Sequence, residues 1–83
     1  MHSLALAKDI LEAALSEAIK HDGKRIKTIT VEIGEEHFAE SESLCLCLEA
    51  MSKGTIAEGS RIEVKLAAPT LAHEECAIAL ELE

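Results

Sequence analysis

Aromatic residues are almost missing from this chain: Phe38 is the single example, with no Trp and no Tyr. The core must then be built from Leu, Ile, Val and Ala, and no aromatic platform exists on which bases could stack. Positive charge is also scarce, with 8 Lys plus Arg against 16 Asp plus Glu and a formal charge of −8. Phosphate repels such a surface, which argues against nucleic-acid binding; the surplus of carboxylates suggests solubility or a partner with a basic face. No apolar run approaches the ~20 residues of a membrane span. No basic stretch followed by an apolar one opens the chain, so no signal peptide is expected. Cysteine is sparse and odd in number, Cys45, Cys47 and Cys76, without the spacing of a disulfide framework. Together these point to a reducing, cytoplasmic setting. A phosphate-cradling Gly-rich loop, a nucleophile motif and a marked acid pair are all lacking, so an enzyme is not expected.

What is present reads as one globular domain. At 83 residues there is room for one core, and a domain of this size buries only ~60–65% of its unfolded surface. From Ser3 to about His21, Leu4, Ala7, Ile10, Leu11, Ala14, Leu15 and Ala18 recur at helical spacing. Ser3 is placed to cap this helix, Lys20 and His21 suit its negative end, and Gly23 is the expected left-handed terminator. Lys27 to Ile33 alternates as a strand with Ile29, Val31 and Ile33 on its dry face. A charged loop over residues 35–40 follows Gly34. A second helix is expected from Ser41, as cap, to about Lys53, with Leu44, Cys47, Leu48 and Met51 on one face and Gly54 closing it. Arg61 to Leu66 and Ala77 to Leu82 alternate again, the second after a turn at Pro69. All three strands are apolar on one face only, so both helices must cover that face. The expected fold class is α+β: two helices on one side of a three-stranded mixed or antiparallel sheet. The last two strands, joined by a short connection, are expected to pair antiparallel; strand order is open.

The chain begins Met1-His2-Ser3. A methionine before bulky histidine is expected to be retained, leaving a free amine beside an imidazole. The amine, the deprotonated backbone nitrogen of His2 and its ring nitrogen close two fused chelate rings in one plane. Three coplanar nitrogens suit square-planar Ni(II) or Cu(II) better than tetrahedral zinc. Ligation releases protons, so affinity falls with pH. An exposed, frayed chain end would have the same two residues.

Several further stretches agree in order and spacing with one family. Met1-His2-Ser3-Leu4-Ala5-Leu6-Ala7 with Ile10-Leu11-Glu12, Gly23-Lys24-Arg25-Ile26, Val31-Glu32-Ile33-Gly34-Glu35, Glu42-Ser43-Leu44 and the run Lys53-Gly54-Thr55-Ile56-Ala57-Glu58-Gly59 resemble the HypA/HybF family of hydrogenase nickel-insertion accessory proteins. The resemblance covers about residues 1–69 and the final strand. It implies a cytoplasmic nickel metallochaperone for a NiFe hydrogenase, with Ni(II) held at Met1 and His2, and with a HypB-type GTPase and the hydrogenase large subunit as partners. Two departures stand out. Ser3 replaces the family's usual acidic third residue, which alters or borders the fourth ligand position. The two C-x-x-C pairs that hold zinc in the family are missing, so the whole of 1–83 is read as a single nickel-binding domain without its zinc module between residues 69 and 78, and no zinc is expected.

Other candidates carry less. His37 lies in the acidic loop and could approach the nickel site. His73 and Cys76, three apart around Glu74 and Glu75, could touch a soft metal, though a solvated loop explains them as well. Cys45 and Cys47 lie two apart on a helix and cannot converge on one ion. Glu35, Glu36, Glu40 and Glu42 are most simply a solvated face, or a dock for a basic partner. The competing reading is a protein-interaction module that kept the fold and lost metal delivery. A homodimer by exchange of the last strand is a further expectation.

Overall fold

The computed structural model describes residues 3–67 and 77–83. Its elements are α1 (Ser3–Lys20), β1 (Ile26–Ile33), α2 (Glu35–Phe38), α3 (Ser41–Ser52), β2 (Arg61–Leu66) and β3 (Ala77–Leu82). The sheet has the order β2-β1-β3. β1 runs parallel to β2, with Ile29 opposite Ile62 and Ile33 opposite Leu66. It runs antiparallel to β3, with Ile29 opposite Leu80 and Val31 opposite Ile78. The expected α+β class holds, with a mixed sheet and both long helices packed on one face.

The expected pairing of the last two strands does not occur. β2 and β3 sit on opposite edges, separated by β1. The reason lies in burial. Ile26, Ile29, Val31 and Ile33 of β1 are all buried, whereas Ile62 and Val64 of β2 and Ile78 and Leu80 of β3 are half-buried. Two helices can cover one strand fully and two only partly, and the strand with most β-branched residues takes the dry centre.

Ala7, Ile10, Leu11, Ala14 and Ala18 of α1 meet Leu44 and Leu48 of α3 above β1. Small alanines let α1 approach the sheet closely. Burying each large aliphatic side chain stabilises the fold by roughly 1.5–3 kcal/mol.

Three local expectations are corrected. The loop over residues 35–40 contains a short helix, α2, begun after Gly34 in an extended conformation. Its first-turn carboxylates, Glu35 and Glu36, suit the positive end of the helix. Ser41 lies inside α3; the residue before the helix is Glu40, whose side chain makes no capping bond. At the end of α1 it is Asp22, not Gly23, that takes a positive φ, of 55°. Gly23 sits in a tight space instead: a Cβ there would stand 3.0 Å from Leu82 Cδ1 and 3.2 Å from the Ala18 carbonyl oxygen, so its neighbours would have to give by a few tenths of an ångström.

The run from Gly54 to Gly59 folds into successive turns that close the far end of the sheet. Thr55 Oγ1 donates to the Ser52 carbonyl at 2.7 Å and accepts from the Ala57 N–H at 3.0 Å. Ile26 N–H donates to the Ile56 carbonyl, 2.9 Å, and Arg25 Nη2 donates to the Glu58 carbonyl, 2.7 Å. Ala57 is thereby buried under the loop.

Candidate metal centre

α1 starts at the end of the molecule where β1 and β2 finish. Ser3 is its first residue and is 2% exposed. The sequence suggests that its hydroxyl caps α1; instead Ser3 Oγ donates to Glu40 Oε1, a long contact of 3.4 Å. That long contact ties the start of α1 to the corner between α2 and α3. Met1 and His2, the expected nickel donors, lie outside the described residues, as do His73 and Cys76. The first described residue after Met1 and His2 is the buried Ser3.

The corner itself is built locally. His37 and Phe38 donate their N–H groups to the Gly34 carbonyl at 3.0 and 3.1 Å. The Glu40 N–H donates to the His37 carbonyl at 3.0 Å, and the Glu40 carbonyl accepts from Leu44 at 2.9 Å. His37 is thus one turn before Glu40 and half-buried, on the same corner as the start of α1. Glu40 is the residue that sequence reasoning passes over. In the linear chain it belongs to a solvated acidic face, and its contact spans 37 positions, so no local periodicity announces it. Its place immediately before α3 while not capping that helix is the one structural sign that its carboxylate is committed elsewhere.

Electrostatics favour an anion at this corner. The first N–H groups of α1 carry the positive end of its dipole, which opposes a bound cation. The Glu40 carboxylate lies against that end and offsets it. The same N–H groups have no acceptor within the helix.

The remaining candidates fall elsewhere. Cys45 and Cys47 are free thiols, both half-buried. Cys45 Sγ lies 4.0 Å from the Ile62 carbonyl and 4.0 Å from Glu49 Oε1. Burial first, and the Glu49 charge second, push its pKa above the ordinary 9.0, so it is a poor thiolate. His21 at the other end of α1 pairs with Glu17 at 3.2 Å. Among the described residues no three His, Cys, Asp or Glu side chains converge as a ligand set, and no helix is long and apolar enough to cross a membrane.

Over residues 1–83 the chain matches the family model described as "Hydrogenase/urease nickel incorporation, metallochaperone, hypA". The class is one of accessory proteins that handle nickel. Among its relatives is a hydrogenase maturation factor HypA of Azotobacter vinelandii, 36% identical over 64 residues, 77% of this chain and 57% of that protein. The protein of the same name from Methanocaldococcus jannaschii is 36% identical over 81 residues, 92% of this chain and 65% of that one. That of Methanopyrus kandleri is 35% identical over 66 residues, 80% of this chain and 46% of its own length. This chain belongs to the HypA family. It spans about half the length of the first of these relatives, 57% and 46% for the Azotobacter and Methanopyrus proteins.

Proposed function

We propose that this chain is a nickel-binding metallochaperone, an accessory protein and not an enzyme, that serves maturation of a NiFe hydrogenase in the cytoplasm. The supporting observation is that Ser3, next after the Met1-His2 segment, is buried with its Oγ 3.4 Å from Glu40 Oε1, which sets a carboxylate near the root of that segment. Nickel is the cargo. The Met1 amine, the His2 backbone nitrogen and the His2 imidazole supply three donors in a plane. Ser3 holds the root of the segment and borders the fourth position. Glu40 supplies the negative charge that balances the ion against the helix dipole. His37, on the same corner, is the secondary side-chain candidate; His73 and Cys76 follow it. A HypB-type GTPase and the hydrogenase large subunit are the proposed donor-side and recipient partners. The chain has no C-x-x-C pair, so zinc has no part in this reading.

The test is titration of Ni(II) into protein with an unmodified N-terminus, following the d–d absorption of square-planar nickel. The expected result is one equivalent bound, with uptake lost on acetylating the amine or in His2→Ala. Glu40→Gln keeps an acceptor for Ser3 and removes the charge, so affinity is expected to fall several-fold, most at low salt. A titration indifferent to His2→Ala and to acetylation would favour the other reading, a HypA-fold interaction module without metal delivery.

A further inference from the structure

The far end of α1 carries a carboxylate and an imidazole one turn apart. Glu17 and His21 stand at i and i+4, so they share a face of the helix. His21 Nε2 lies 3.2 Å from Glu17 Oε1. The two side chains are 65% and 50% exposed, His21 first, so water and ions reach both.

Their spacing is close to that of two donors on one ion. Two atoms each about 2.1 Å from a metal, at right angles around it, stand about 3.0 Å from one another. Exposed side chains have the freedom for the small rotations that aim both lone pairs at a common point. The surroundings also favour a cation. An 18-residue helix ends here, and its C-terminus is the negative end of the dipole. Asp22 follows directly and adds a further negative charge. Lys20 opposes it, with Nζ 4.0 Å from Glu17 Oε2. That contact is at the limit of an ion pair and its ammonium is exposed, so it is easily displaced.

We propose that Glu17 and His21 form a second, labile metal site for a first-row divalent cation, Ni(II) among them, at the opposite end of α1 from the Met1-His2 segment. The cation takes the place of the proton between the two side chains. His21 Nε2 gives one lone pair and a Glu17 carboxylate oxygen another, and the hydrated ion gives up two waters to receive them. The other positions keep their water, so the ion is octahedral and exchanges readily with solution. An imidazole nitrogen selects nickel, copper or zinc over the hard cations that carboxylates alone would take. At 1.5 Å per residue the two ends of α1 are about 25 Å apart, so no single ion reaches both. The site does not rest on the N-terminal reading. With two donors and no fused rings it binds more weakly than three nitrogens in a plane, and it fills when nickel is in excess. An octahedral ion has no square-planar absorption band, so the titration of the Met1-His2 segment does not register it.

The test is NMR of the isotope-labelled full chain titrated with Ni(II). Square-planar nickel is diamagnetic and leaves nearby signals sharp; octahedral nickel is paramagnetic and broadens them. The expected result, with nickel in excess, is broadening centred on the His21 ring and the amides of residues 17–22. It persists in His2→Ala and is lost in His21→Ala. Glu17→Gln weakens it, and Lys20→Gln, which removes the competing cation, tightens binding about threefold at physiological ionic strength. No broadening near His21 with nickel in large excess overturns the proposal. So does broadening centred instead on the carboxylates of residues 32–42, broadening that vanishes in His2→Ala, or a Lys20→Gln chain that binds more weakly. A missing square-planar band with the His21 pattern intact refutes the N-terminal reading and leaves this one standing. The mapping uses the unaltered chain and decides even if a variant fails to fold.

Discussion

Leu48→Ala and Leu46→Ala, two positions apart on α3, test the packing of the whole domain. Leu48 is fully buried between α1 and the sheet, while Leu46 is 62% exposed on the opposite face. Removing the Leu48 side chain loses its transfer energy and leaves a cavity, together about 3–5 kcal/mol. At roughly 0.05–0.15 kcal/mol per residue, the domain has only about 4–12 kcal/mol in total. Leu48→Ala therefore removes a large fraction of its stability and lowers Tm by roughly 12–40 °C. Leu46→Ala loses little contact and gains helix propensity, so its effect stays within about 0.5 kcal/mol. Urea and thermal unfolding followed by far-ultraviolet circular dichroism measure both; with no Trp or Tyr, fluorescence is of little use. Equal effects for the two, or a larger one at Leu46, would refute the placement of α3 and with it the corner that holds Glu40.

Three shorter expectations accompany it. Cys45, its pKa raised above 9.0 by burial and Glu49, should alkylate more slowly near neutral pH than a thiol in the urea-unfolded chain. Because the folded state holds that proton more tightly, the unfolded chain releases it first as pH rises past 9.0, and folding stability falls there; a melt flat across that window contradicts the burial of this thiol. Gly54 has φ +82° and open space, with no neighbour within 4 Å of where a Cβ would stand, so Gly54→Ala should cost about 1–2 kcal/mol through backbone strain alone, read as a shift in urea midpoint with unchanged m. Nickel uptake should fall as pH drops, about tenfold per pH unit for each proton released on binding, and pH-independent uptake would argue against ligation by a backbone nitrogen.

The Met1-His2 pattern, the family resemblance and the dry face of each element are legible in the linear order of residues. Helical and strand periods are local properties, so α1, α3 and all three strands can be read from spacing alone, and Arg61–Leu66 and Ala77–Leu82 agree end to end. The short helix α2 escapes such a reading because four residues are too few to show a period. Ser3 and Ser41 look like caps in sequence because a hydroxyl near a helix start has the same local signature whether it bonds forward or across the fold.

Sequence by itself determined which residues face inward and that three half-dry strands need helices on one side. Tertiary structure decided which strand lies in the middle, that β2 and β3 never meet, and that Glu40 comes against Ser3. Alternation tells a strand which face to bury but not which neighbour to bond, since any of the three patterns could occupy the centre. That choice depends on how much apolar surface α1 and α3 can cover at once. It goes to β1, whose Ile29, Val31 and Ile33 leave no side chain to water, and so leaves β2 and β3 at the two edges.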